Sequence, residues 1–142
     1  MKERSLFLSD ELAAQVLLAA AHAYPNEACG LLEGRGIEHG WLVTAVHETA
    51  NIADNPARYF LIDPQAQFDL MRALRGKNTR LIGCFHSHPN GVAEPSATDR
   101  AEAYEPDFLY LIAAGGPDAG FVLRAYCFES SGAFVSIALC DA

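Results

Sequence analysis

The chain has no apolar run near the roughly 18 to 20 residues that a membrane-spanning helix needs, so no segment of it reads as a span. Its first residues, MKERSLFLSDEL, carry charges but no apolar stretch long enough for a secretory signal, and a cytoplasmic location is expected. Close cysteine pairs are also missing: Cys29, Cys84, Cys127 and Cys140 form no CxxC motif. In a cytosolic chain such cysteines are expected to be reduced core residues rather than a disulfide framework. Basic clusters are scarce as well. The formal net charge is -8, and the densest cationic stretch, MRALRGKNTR, reads as a helix C-terminus, where cations suit the dipole. That leaves a nucleic-acid-binding role without its electrostatic footprint. Neither an internal repeat nor a low-complexity tract nor a linker divides the sequence, so a single domain over residues 1–142 is expected.

What is present suits a soluble globular domain. The chain has 142 residues, 51% hydrophobic and 20% charged, enough to bury a core without staples. Ser9 can cap a first helix reaching about Ala23, where Tyr24-Pro25 stops it. ACGLLEG reads as a short buried strand ending in the glycine turn GRGIEHG, and WLVTAVHE as its return. NIADNPARYFLIDP is a loop closing on Asp63-Pro64, a cap with proline at the first helical position. The helix that follows places Ala66, Leu70, Ala73 and Leu74 on one face and ends near Gly76. RLIGCFHSH is apolar on both faces at its start and reads as a central strand. Ser96 opens a third helix ending near Tyr104. Three strands then follow in succession: FLYLIAA, FVLRAYCF and AFVSIAL. An α/β (α+β) domain with a single mixed β-sheet flanked by helices is the expected fold class.

The chemistry concentrates in GCFHSHPNGVAEPSATD, residues 83–99. On a strand the side chains repeat every two residues, so Ile82, Cys84, His86 and His88 are expected on one face. The two imidazoles then lie at the strand's C-terminal end, where open α/β sheets bind ligands. Asp99 falls in the first turn of the next helix, and the intervening loop holds Pro89, Gly91 and Pro95, which suit a fixed reversal. Two imidazoles and a carboxylate, with a fourth position left for water, form a catalytic zinc arrangement. The residues alone leave a second reading open. Ser96-x-x-Asp99 is also a capping box, which would make both residues structural. From this composition, the spacing His-x-His, seven residues, Ser, two residues, Asp arises by chance on the order of once in two thousand chains. Ser87 points to the opposite face of the strand. Cys84 and Cys29 read as packing, and His22, His39 and His47 fall on a helix end, a turn and a strand, with no metal expected.

HSHPNGVAEPSATD resembles, without a gap, the signature of the JAMM (MPN-plus) metalloproteases, which include deubiquitinating isopeptidases. PNEACGLLEG is similar to that family's upstream run and puts Glu27 in the position of its glutamate. The resemblance implies the MPN/JAMM fold, a layered architecture like that of cytidine deaminases. It implies one zinc per chain on His86, His88 and Asp99. Glu27 would take a proton from the attacking water and deliver it to the leaving amine, and Ser96 would support the oxyanion. It further implies a peptide or protein substrate, such as the C-terminal tail of a ubiquitin-like or sulfur-carrier protein, cut at a peptide or isopeptide bond. The short NIADNPARYFLIDP loop, where larger relatives carry an insertion, argues against ubiquitin-chain specificity. The alternative is a non-catalytic MPN-type scaffold. Such relatives lack some of the five site residues, all of which this chain keeps. A DNA-repair-associated relative is disfavoured by the acidic charge and the missing DNA-binding region.

Overall fold

A computed structural model describes residues 4–142. Its elements run β1 (Ser5–Phe7), α1 (Asp10–Ala23), β2 (Cys29–Ile37), β3 (Gly40–Thr49), α2 (Pro64–Ala73), β4 (Arg80–His88), α3 (Ala97–Glu102), β5 (Leu109–Gly116), β6 (Gly120–Phe128) and β7 (Phe134–Cys140). The strands form one mixed sheet in the order β1-β3-β2-β4-β5-β6-β7. β1 pairs in parallel with both β3 and β7, which closes the sheet into a barrel. The expected fold class holds. The closure was not foreseen, because three residues are too few to show a strand periodicity.

Each face of the sheet has its own core. α1 starts where Ser9 Oγ accepts the Leu12 N–H at 3.2 Å, with Asp10 and Glu11 in its first turn. It buries Val16, Ala19 and Ala20 against Leu32, Trp41, Phe85, Leu109 and Leu111. The opposite face gathers Cys29, Leu31, Ile62, Cys84, Tyr110 and Phe128, with Phe60, Ala66 and Leu70 packed on them. α2 begins with the expected Asp63 cap and Pro64. It buries no residue within its own span: Ala73 is exposed, Phe68 and Met71 are largely exposed, and Leu74 is buried only as the cap residue.

Two local irregularities correct the strand readings. β2 does not end at Gly34-Arg35-Gly36 but continues to Ile37, leaving Glu38 and His39 as the turn into β3. A side chain at Gly34 would meet the Leu42 carbonyl oxygen at 2.2 Å, so this glycine serves a close strand approach rather than a turn. On β4, Leu32 pairs with Gly83 and Glu33 with Leu81, so Ile82 is the extra residue of a bulge. The bulge turns Ile82 into the α1-side core, while Cys84, His86 and His88 keep the other face. The expectation that all four share a face is therefore wrong at Ile82.

β4 lies between β2 and β5, and its approach to β5 is as tight as backbone allows. A Cβ at Gly83 would stand 2.3 Å from the Leu109 carbonyl oxygen, a backbone atom that cannot swing away. Gly83→Ala should cost about 2 kcal/mol or more through overpacking. Denaturant titration of the two proteins would measure it, and equal midpoints would refute the close-approach reading.

Candidate metal centre

Three side-chain atoms meet at the C-terminal end of β4. His86 Nε2 and His88 Nε2 are 2.9 Å apart, and Asp99 Oδ2 stands 3.1 Å from each. All three residues are buried, His86 completely. The sequence placed both histidines correctly on one face, and the reversal at residues 89–95 brings the carboxylate back to them. That reversal is held at two points. His88 Nδ1–H donates to the Val92 carbonyl at 2.7 Å, and the Tyr126 hydroxyl donates to the Ala93 carbonyl at 2.7 Å.

The capping box is real too. Ser96 Oγ accepts the Asp99 N–H at 3.0 Å, and Asp99 Oδ2 accepts the Ser96 N–H at 2.8 Å. The oxygen that completes the cap is the same Oδ2 that faces the histidines. Capping therefore aims this oxygen at the histidines instead of competing with that contact. Ser96 is exposed, and its hydroxyl uses a lone pair toward Asp99, which leaves the O–H proton free to donate elsewhere.

The donor set fits a divalent ion. With its Nδ1 proton committed to Val92, neutral His88 turns a bare lone pair toward Asp99 Oδ2 and His86 Nε2. His86 Nδ1 is buried without a partner, so no protein group dictates which ring nitrogen of His86 holds the proton. Converging lone pairs repel unless a cation lies among them. Donors about 2.0 Å from a tetrahedral ion stand about 3.3 Å apart, close to the 2.9 to 3.1 Å edges seen here. Burial alone would push the Asp99 carboxyl up, but the neighbouring His86 and His88 imidazoles and the Ser96 N–H outweigh it and hold it well below the usual range. Burial pulls His86 down, which keeps it neutral and able to ligate. At His88 burial acts the same way, but Asp99 and the Val92 carbonyl reverse the direction.

Glu27 joins this group from the segment just before β2. Its carboxylate oxygen and one nitrogen from each histidine lie within 4.8 Å of one another. Its backbone is fixed by neighbours: Glu27 N–H donates to the Pro56 carbonyl at 2.7 Å, and Asn51 Nδ2 donates to the Glu27 carbonyl at 3.0 Å. Burial is the main reason its pKa rises, from 4.5 to about 7; nearby Asp99 adds to the rise and His88 opposes it. A carboxylate poised near neutral pH suits a general base.

Three contributors were given no role by the sequence reading. Ser87, between the histidines, accepts the Ala28 N–H on Oγ at 2.7 Å and donates its own N–H to the Ala28 carbonyl at 3.0 Å. It thus ties the backbone beside Glu27 to the backbone between the two histidines. Phe60 stacks on His86 with ring centroids 4.2 Å apart. Asn51 Oδ1 accepts the N–H groups of Ala53 and Leu61, drawing the loop that carries Phe60 over the site. No spacing rule marks their links to the site, which run from Ser87 to Ala28, Phe60 to His86 and Asn51 to Glu27 across long sequence separations. Cys84 and Cys29 are buried free thiols, as expected of packing residues, and burial pushes both thiols up. His47 lies elsewhere, its Nε2 paired with Glu33 at 2.9 Å.

The comparison with known proteins agrees with this geometry. Residues 9–126 match the model of the prokaryotic homologs of the JAB domain. The chain belongs to that family. Its prokaryotic JAB relatives include the desampylase of Haloferax volcanii, 34% identical over 103 residues, or 72% of this chain and 73% of that protein. A second is the CysO-cysteine peptidase of Mycobacterium tuberculosis, 27% identical across 85% of this chain and 81% of the relative. Among solved structures, a Desulfitobacterium hafniense protein superposes with a TM-score of 0.82 at 30% identity, covering 97% of this chain and 92% of its own. The JAMM resemblance carried by the motifs therefore stands, and the chain is a JAMM-type hydrolase.

The raised Glu27 pKa has a thermodynamic signature. In metal-free protein the folded state holds this proton up to about pH 7, whereas the unfolded chain releases it near 4.5. The unfolded state then binds fewer protons, so this group's contribution to stability is lost as pH rises through that window. Glu27→Gln has no such titration. Its stability relative to wild type should rise between pH 4.5 and 7 and level off above. Denaturant midpoints of both chelator-treated proteins at four pH values would test this, and a flat difference would refute it.

Proposed function

We propose that this protein, acting as one domain over residues 1–142, is a zinc-dependent isopeptidase or peptidase. Its substrate is the C-terminal tail of a ubiquitin-like or sulfur-carrier protein. The observation that supports this reading most is the buried convergence of His86, His88 and Asp99 with Glu27 beside them. His86, His88 and Asp99 would hold one zinc ion. When bound, zinc supplies Lewis acidity and water activation at neutral pH. Glu27 accepts a proton from the attacking water on its carboxylate and returns it to the departing amine nitrogen. Ser96, whose O–H proton is free, donates to the oxygen of the carbonyl under attack, a contribution of about 3 kcal/mol in comparable sites. Phe60 and the buried setting exclude bulk water, which strengthens these interactions. No acyl-enzyme is needed, since water rather than a protein side chain attacks the carbonyl.

The choice of substrate rests on relatives and on surface chemistry. The relatives' names include a CysO-cysteine peptidase and a probable TtuB-protein conjugate cleaving protease of Thermus thermophilus. Beside the centre, exposed Leu61, Phe68, Met71 and Tyr104 line a groove that shares Ile62 and Phe108 with the cavity next to Asp99. Along this groove Arg75, Lys77 and Arg80 outnumber Glu105 and Asp107, in an otherwise acidic protein. An apolar face with a basic rim suits the folded body of an acidic carrier protein.

Two experiments test the reading. Glu27→Ala should keep about one zinc per chain and lose hydrolysis of a carrier-protein fusion by at least about 100-fold, whereas His88→Ala should lose the metal as well. Metal analysis and cleavage assays check both, and wild type purified without chelators yet free of zinc would sink the proposal. Phe68→Glu should raise KM for a carrier-protein fusion about tenfold while leaving cleavage of a short tail peptide unchanged. Equal losses on both substrates would remove the α2 face from recognition.

A further inference from the structure

Glu27 lies ahead of β2, whose ladders to β3 and β4 begin only at Cys29. Strand pairing alone therefore does not hold it. The Ala28–Ser87 pair anchors its backbone on one side, and the loop over residues 51–61 anchors it on the other. A single side chain organises that second anchor. Asn51 Nδ2 donates to the Glu27 carbonyl at 3.0 Å and to the Tyr59 carbonyl at 2.9 Å. Asn51 Oδ1 accepts the Ala53 N–H at 3.1 Å and the Leu61 N–H at 3.0 Å. Both donors and both lone pairs of the amide are thus used, a pattern that neither a carboxylate nor a hydroxyl can reproduce. Loop building accounts for only part of this set. The Oδ1 bonds and the Tyr59 bond close the loop on itself, beside the Ile52 N–H that donates to the Leu61 carbonyl at 3.0 Å. The bond to Glu27 leaves the loop and reaches a residue 24 positions earlier. Glu27 answers it, donating its own N–H to the Pro56 carbonyl of the same loop at 2.7 Å. Further along, Phe60 stacks on His86 with ring centroids 4.2 Å apart. The base segment and the aromatic cover are therefore one hydrogen-bonded unit, with Asn51 at its neck.

We propose that Asn51 is a positioning residue for hydrolysis, its donor half holding the Glu27 backbone and its acceptor half the loop that carries Phe60. The inference rests on the hydrolase reading above, in which Glu27 is the base, and adds the residue that sets where the base stands. Proton transfer needs hydrogen-bond reach, so a displacement of about 1 Å at Glu27 can cost on the order of 100-fold in rate. Asn51 touches none of the reacting atoms and acts through this placement alone. Tyr59 and Leu61, on the same loop, are exposed. A contact that moves either of them reaches the base through one amide.

Asn51→Asp separates the two halves. It keeps the shape and the oxygen that faces Ala53 and Leu61, but sets a lone pair where an N–H met the Glu27 and Tyr59 carbonyls. In zinc-loaded enzyme its kcat on a carrier-protein fusion should fall at least about tenfold. KM should stay within about twofold of wild type, with zinc still near one per chain. In a Glu27→Ala background, followed in single turnover at excess enzyme, the same substitution should change the residual rate by less than about twofold. A merely structural role would lower that rate again and overturn the proposal. A wild-type kcat in Asn51→Asp, or loss of zinc in step with loss of rate, would overturn it too. Amide hydrogen exchange gives a readout independent of turnover. The Glu27 N–H should exchange at least about tenfold faster in Asn51→Asp, while the Leu61 N–H stays within about twofold of wild type. Unchanged exchange at Glu27 refutes the positioning role. If wild type cleaves no carrier fusion, the hydrolase reading fails, and the exchange rates still decide whether Asn51 holds the Glu27 segment.

Discussion

The Asp99 Oδ2 atom accepts the Ser96 N–H at 2.8 Å while standing 3.1 Å from two imidazole nitrogens. A buried carboxylate without compensation is costly, so this oxygen constrains all that surrounds it. It holds the start of α3 against the end of β4. It also makes the short helix part of the site, because six residues have little helical stability of their own. The cap and the contact with the histidines cannot be separated here. Rotating the carboxylate to favour one role would abandon the other, and the geometry in which a single oxygen serves both is the one adopted.

That constraint propagates through strand pairing. Cys29 lies opposite His86 in the antiparallel β2–β4 ladder, so Glu27, two residues before Cys29, arrives at the histidines by register. The Ser87–Ala28 pair of hydrogen bonds joins positions 59 residues apart and locks that register where β2 begins. Removing the Ser87 hydroxyl would leave a buried N–H unsatisfied, a loss of about 1 to 3 kcal/mol. The closed sheet supplies the rigidity behind it, since a barrel has no free edge along which β4 could slip. Rigid pairing then becomes chemistry: Glu27 is held where burial raises its pKa toward neutrality.

Local chemistry wrote much of this into the sequence. Ser9 and Asp63 announced their helices through capping, and the two-residue period put both histidines on one face. The Ser96-x-x-Asp99 spacing announced a cap that proved to point at the histidines. What stayed illegible was non-local. Ile82 leaves its expected face because a bulge is decided between two strands, not within one. Gly34 looks like a turn residue in isolation, and only the neighbouring Leu42 carbonyl shows why it is glycine. β1 is too short to carry a pattern, and its parallel partners lie at opposite ends of the chain. Phe60 and Asn51 sit in a loop whose composition says only that it is a loop. Glu27 was found through family resemblance, since a glutamate after Pro-Asn has no signature of its own.

These features place the site at odds with the stability of the metal-free fold. Three donor atoms crowd together, a carboxylate is buried above its ordinary pKa, and His86 Nδ1 lacks a partner. Each is unfavourable alone, and each is relieved or used when a cation and a substrate are present. A protein optimised for stability would replace such a cluster with apolar side chains, as buried ionic groups elsewhere tolerate. The surrounding hydrogen bonds, which involve Val92, Ser96, Ser87 and Asn51, instead spend their strength on keeping the cluster in place. Because an ion binds the folded arrangement and not the unfolded chain, its binding energy adds to folding energy. The cost of crowding these donors at the end of β4 is thus one that a bound cation would offset.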